Sequence, residues 1–130
     1  MIVVDASALL EVLLRTEHGG QIEARLFDPV ETLHAPHVID LEIANALRRG
    51  LLTGSLRPTR AREALLDLAD LPLRRYPHDV LLARVWALRS NFTAYDAAYV
   101  ALAEGLDCPL ITRDRRMSQA PGHNATVELM

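Results

Sequence analysis

Apolar positions along the chain alternate between short β-branched runs and longer stretches at helical spacing. Met1–Val4 is such a run and predicts a buried strand, which Asp5 ends. Ser7 is placed to cap the helix that follows, Ala8 to about Arg15. Glu17 to Phe27 predicts a second helix, weakened at its start by Gly19–Gly20 and broken by Asp28–Pro29. Thr32–Ala35 reads as a short strand. Pro36 then opens the strongest helical pattern, with Val38, Leu41, Ile43 and Leu47 on its apolar face and Gly50 near its end. Pro58 suits the first turn of another helix, whose apolar face is Ala61, Leu65, Leu68 and Ala69. Leu73–Tyr76 reads as a strand, Asp79 to about Arg89 as a helix, and Tyr95 to Glu104 as a helix ending at Gly105. Pro109–Thr112 is a second clear buried strand; a short helical turn after Asp114, a Pro121–Gly122 loop and a last strand, Thr126–Leu129, complete the pass.

Strands and helices therefore alternate, with helices in excess, which predicts an α/β sandwich with a mostly parallel central sheet flanked by helices. There is no internal repeat, low-complexity segment or linker, and 130 residues suit one domain, 1–130. Folding at this size removes about two-thirds of the unfolded chain's surface from water. The single cysteine, Cys108, excludes an internal disulfide framework and suits a reducing compartment. No apolar run approaches the roughly 20 residues of a membrane helix. The N-terminus lacks a basic leader region, and the expectation is a soluble cytoplasmic protein.

The charge of −3 argues against a polybasic nucleic-acid-binding surface. All 14 basic residues are arginine. With no lysine, the chain has no P-loop phosphate grip and no Schiff-base nucleophile. Receiver-like and haloacid-dehalogenase-like phosphotransfer sites are disfavoured for the same reason.

Four acids stand out by position. Asp5 directly follows the first strand, and Asp114 lies two residues after the later clear strand. In an open parallel sheet both would project beyond the carboxyl edge, where ligands collect. Glu42 and Asp96 fall in the first turns of their helices, whose N-termini would open onto the same edge and carry partial positive charge. Taken singly, each acid has a plainer role open to it as a helix cap, a first-turn acid or a turn residue; the joint placement is what points to chemistry. Gathered carboxylates repel, and a divalent cation removes that penalty. All-oxygen ligation without cysteine or histidine suits Mg²⁺ or Mn²⁺ and the hydrolysis of phosphodiesters. The five histidines do not cluster, and His34 and His37, separated by Pro36, read as surface residues. Asp40 and Asp107 read as solvated acids. Leu82 and Trp86, four apart, read as core. Ser7 lies near Asp5 without a histidine and acid spaced to form a nucleophilic triad.

The chain resembles PIN-domain proteins, specifically the VapC-type toxins of bacterial toxin–antitoxin systems. The resemblance is carried by Val3-Val4-Asp5-Ala6-Ser7-Ala8-Leu9, Glu42-Ile43-Ala44-Asn45-Ala46-Leu47-Arg48-Arg49, the stretch from Thr93 to Ala103 around Tyr95-Asp96, and Pro109-Leu110-Ile111-Thr112-Arg113-Asp114. These blocks stand in the family's order over nearly the whole chain. The resemblance implies a PIN-like α/β/α fold and Mg²⁺- or Mn²⁺-dependent endoribonuclease activity. It implies Asp5 and Asp96 as the principal metal ligands, with Glu42 and Asp114 completing the site directly or through water. Ser7, Asn45 and Thr112 match polar positions that support the acids. Arg115, Arg116 and Met117 stand where some relatives carry another acid, a departure that bears on a second metal. The resemblance also implies an RNA substrate, a cognate antitoxin that covers the site, a homodimer, and a toxin–antitoxin hetero-oligomer.

Setting aside the four acids moves the formal charge from −3 to +1, so RNA affinity must come from local arginines. Arg113, Arg115 and Arg116 flank Asp114 and are the candidate phosphate contacts. Two other readings stay open: a PIN nuclease of ordinary RNA processing, and a non-catalytic, RNA-binding or regulatory relative. The presence of all four acids weighs against the second.

Overall fold

The first strand is the most enclosed part of the chain: Ile2, Val3 and Val4 have no exposed surface. A β-branched run buried on both faces is what a strand flanked by other strands and covered by helices requires. The structure is a computed structural model describing residues 1–130. Five strands, β1 (Ile2–Val4), β2 (Leu33–Pro36), β3 (Leu73–Tyr76), β4 (Leu110–Thr112) and β5 (Val127–Leu129), form one sheet in the order β3-β2-β1-β4-β5. Every pairing is parallel, with Val3 opposite His34 on one side and Leu110 on the other. Parallel neighbours need long crossovers, and helices supply them. These are α1 (Ala6–Leu13), α2 (Gly19–Leu26), α3 (Val38–Leu52), α4 (Pro58–Asp70), α5 (Leu82–Ala87), α6 (Ala94–Leu106) and α7 (Arg115–Gln119). Helix α6, nearly all apolar, runs against β1, β2 and β4 with α5 packed on it, and α1 packs with α2, α3 and α4. The expected α/β/α sandwich is present, and its sheet is wholly parallel. No helix is long and apolar enough to cross a membrane.

The chain steps outward from β1 through β2 to β3, then returns to lay β4 on the other side of β1. The β1/β4 boundary is thus the switch point of the sheet, and the crevice beyond its carboxyl ends is the natural ligand position. Asp5 extends the ladder there, its backbone N–H donating to the Ile111 carbonyl at 3.1 Å.

Several local expectations change. Asp5, not Ser7, caps α1, accepting from the Ala8 N–H, because Asp5 stays extended and the helix begins one residue later. The second helix starts at Gly19, and the Asp79–Arg89 stretch divides into a 3₁₀ turn (Asp79–Leu81) and α5. Helix α6 runs through Gly105 and ends at Asp107, which takes the left-handed conformation (φ 49°) that short polar side chains tolerate. Leu41 and Leu65 face solvent, and the buried face of α4 is Ala61, Ala64 and Leu68. Leu82 and Trp86 are also exposed, with Arg89 stacked over the indole. His34 is buried in the sheet, its ring nitrogens bonded to Thr32 and Tyr76, because β2 lies between two strands. Asp40 is held bidentately by Arg75.

Gly19 is buried where α2 crosses α1, and a Cβ there would stand 2.5 Å from the Glu11 carbonyl oxygen. At Gly20 a Cβ would meet nothing within 4 Å. Gly19→Ala should therefore destabilise by about 1–3 kcal/mol, as overpacking against backbone does. Gly20→Ala should be neutral or stabilise by about 0.5 kcal/mol. Urea midpoints at unchanged m-value check both.

Candidate active site

Asp5 is set by backbone geometry before any side chain acts: it ends the central strand and caps α1, so its carboxylate points into the switch-point crevice. The residue is 4% exposed. Its Oδ1 accepts from Ser7 Oγ at 2.5 Å and the Ala8 N–H at 3.1 Å, and its Oδ2 accepts from Thr112 Oγ1 at 2.6 Å. The two hydroxyls are themselves acceptors, from the Arg113 and Asp114 backbone N–H groups, both at 2.9 Å. Two relays thus run from the amides just past β4 through a hydroxyl to one carboxylate. Such chains polarise one another and fix rotamers. Burial still pushes the Asp5 carboxyl above the ordinary aspartate range, against the pull of these donors.

Glu42 lies on α3 and is half-buried. Its Oε1 accepts from the Tyr99 hydroxyl at 2.8 Å, and Tyr99 is 1% exposed on α6. Desolvation is the first cause of a raised Glu42 pKa, and the charges of Asp5 and Asp96 add to it. Asp96 stands in the first turn of α6, whose cap is Thr93, accepting from the Asp96 N–H. Its pKa is raised by burial and then by the charges of Asp114 and Asp5. Asp114 caps α7 through the Arg116 N–H and has the Arg116 guanidinium 3.5 Å away. The fold therefore links the four acids from positions 5, 42, 96 and 114 through Asp96: the charges of Asp5 and Asp96 act on Glu42, and those of Asp114 and Asp5 act on Asp96. No basic group lies within 4 Å of Asp5, Glu42 or Asp96. As the side chains stand, no three of them close on a single ion position.

The supporting residues divide. Ser7 and Thr112 hold Asp5 directly. Asn45 is exposed and lines a cleft beside Glu42 and Asp96, and it is not among the donors to the acids. Tyr99 was not singled out as a site residue, although its spacing of three from Asp96 places both on one face of α6. Of the arginines, Arg113 is engaged by the protein itself: it donates to the Met130 carbonyl at 3.0 Å and lies 3.6 Å from Glu11. Arg115 and Arg116 are exposed.

A parallel sheet in this order with acids gathered at its switch point defines a class, and comparison with known proteins agrees. The PIN-domain family model matches residues 2–122. The chain belongs to the PIN-domain family, in its VapC group. It is 42% identical over 130 residues to ribonuclease VapC12 of Mycobacterium tuberculosis, covering 100% of this chain and 99% of that one. To ribonuclease VapC9 of the same organism it is 47% identical over 118 residues, covering 91% and 89%. The crystal structure of a Pyrobaculum aerophilum protein superposes with a TM-score of 0.69 at 26% identity, over 97% of this chain and 81% of that one.

An acid whose pKa is higher folded than unfolded binds its proton more tightly in the folded state, so stability falls as pH rises between the two values. Asp5, Glu42 and Asp96 all lie in that direction. Without metal, the thermal midpoint should rise as pH falls from neutral toward the ordinary carboxylate range. It should fall again once Glu104, held low by Arg84, takes up its proton. Melts in chelator across this range check it, and Asp96→Asn should flatten the first slope.

Proposed function

We propose that the chain is a metal-dependent endoribonuclease acting as the toxin of a toxin–antitoxin pair, folded as a single domain over 1–130. The observation that carries the reading is the gathering of four carboxylates, three without a basic partner, at the switch point of a PIN-type sheet. Membership of the VapC group supports the substrate, RNA, and the partner, a cognate antitoxin protein. A homodimer, a toxin–antitoxin hetero-oligomer and a cytoplasmic location belong to the same proposal.

The donor set fits a hard divalent cation, Mg²⁺ or Mn²⁺: the gathered ligand groups are carboxylates alone, and the charge of Asp5, Glu42 and Asp96, without a basic partner, is what such an ion neutralises. Asp5, Glu42, Asp96 and Asp114 would hold it. When bound, the cation supplies an acidified water and charge screening at phosphate oxygens. The chain's own residues do the rest. Ser7 and Thr112 prevent Asp5 from rotating, and Tyr99 anchors Glu42. Asp114, fixed as a helix cap, keeps its second oxygen toward Arg116. Arg115 and Arg116, exposed beside it, are placed to hold flanking phosphates.

Asp5→Asn and Asp96→Asn should each reduce cleavage of single-stranded RNA by more than about a hundredfold, beyond what losing an outer-shell partner costs. Circular dichroism should show both variants folded. Wild-type rates in both variants overturn the assignment. Added Mg²⁺ or Mn²⁺ should raise the wild-type melting midpoint with concentration, matching a stabilisation of about 2.7 kcal/mol at a hundred times Kd. The rise should shrink in Asp96→Asn, and a melt indifferent to chelator counts against the metal.

A further inference from the structure

On the Glu42–Asp96 side of the acids a cleft of about 500 Å³ opens between α3 and α6. That is within the roughly 300–1,000 Å³ of small-molecule sites. Leu41, Glu42 and Asn45 line it from α3, and Tyr95 and Asp96 from α6. Three of these side chains are not used by the fold. Tyr95 is 63% exposed and Leu41 72%, and the Asn45 side chain is exposed beside them. The Tyr95 ring stands mostly in water beside Asp96, between this cleft and an apolar pocket lined by Val38, Leu82, Val85, Ala94 and Ala98.

We propose that this cleft receives one base of single-stranded RNA next to the scissile phosphate, with Tyr95 as the stacking platform and Asn45 contacting the base edge. The inference rests on the ribonuclease reading above and goes beyond it by naming how the substrate is seated. Charge selects the moiety. Two carboxylates and no basic residue line the cleft, so it repels phosphate but accepts a neutral heterocycle. Chemistry selects it again: a phenol ring and a leucine from facing helices suit a flat apolar face, and a free carboxamide suits an edge with donors and acceptors. Adjacency fixes the register, because Tyr95 directly precedes Asp96, so the seated base lies beside the acids. A base within a duplex has its faces stacked and its edge paired, so the cleft admits unpaired RNA. Tyr95 is thus a positioning residue, and Asn45 selects among bases.

The test uses the full chain in two backgrounds. With cleavage silenced by Asp5→Asn, anisotropy with a short single-stranded RNA should show about tenfold weaker binding for Tyr95→Ala. Tyr95→Phe and Tyr95→Trp should retain binding, whereas Tyr95→Leu, apolar but not planar, should lose it. With cleavage intact, Tyr95→Ala should raise KM far more than it lowers kcat, at an unchanged melting midpoint and an unchanged response to metal. Asn45→Ala should alter the base preference in mapped RNA ends. An RNA with an abasic nucleotide at the seated position should lose the same factor against wild type and nothing further against Tyr95→Ala. Unchanged KM and cleavage sites in Tyr95→Ala overturn the base site while leaving the ribonuclease standing. A change confined to self-association, read by sedimentation, also overturns it. Wild type that cleaves no RNA with Mg²⁺ or Mn²⁺ overturns the ribonuclease reading instead, and the silenced-background binding still decides the cleft.

Discussion

A carboxylate buried at the end of the central strand is the constraint around which the rest of this molecule is arranged. Taking one ion out of water costs several kcal/mol even after relaxation. The fold offsets part of that cost for Asp5 with two hydroxyls and a helix-capping amide. Because those hydroxyls are in turn bonded by the Arg113 and Asp114 amides, β1, α1 and the end of β4 are tied to one charge. Desolvation still exceeds the donors' contribution, and the charges of neighbouring acids raise Glu42 and Asp96 further. The site is left short of positive charge, which is the physical basis for expecting a cation there.

That shortage is local. Arginine neutralises acids elsewhere in the chain: Arg75 holds Asp40, Arg84 holds Glu104, and Arg25 joins Glu31 and Glu128 between α2 and the edge strand β5. None of the 14 arginines lies within 4 Å of Asp5, Glu42 or Asp96. Ion pairs elsewhere tie neighbouring elements together, and at the carboxyl edge of β1 and β4 only Asp114 has one, with the exposed Arg116. Rigidity is graded in the same way. Asp5 is buried and bonded on both oxygens, Glu42 is anchored at one, and Asp114 sits on a short helix of five residues. The rigid end positions the site, and Asp114 at the other end is partly open to solvent.

What was legible in the residues was local in origin. β-Branched runs gave β1 and β4, helical spacing gave α3, α4 and α6, and their alternation gave a parallel α/β sheet. The four acids were recognisable because a position just after a strand, or in the first turn of a helix, maps onto one edge of such a sheet. Helix faces were less legible. Leu41, Leu65 and Trp86 fit an apolar stripe yet face water, because periodicity reveals that a face exists and only the neighbouring elements set its width. His34 shows the converse: a polar residue in a short strand reads as exposed, and its burial follows from β2 lying inside the sheet.

Tertiary structure alone decided the partnerships across long sequence separations. Thr112 bonds Asp5 from 107 residues away, and Tyr99 bonds Glu42 from 57. Arg113 turns inward to Glu11 and the Met130 carbonyl, and Asn45 lines the cleft beside Glu42 and Asp96 without bonding either. Each outcome depends on where two elements meet and which rotamer fits between them. Hydrophobic pattern and propensity act over a few neighbouring residues, so they determined the elements and the edge on which the chemistry gathers. The pairing of one charge with one hydroxyl is settled only when the strands and helices have packed.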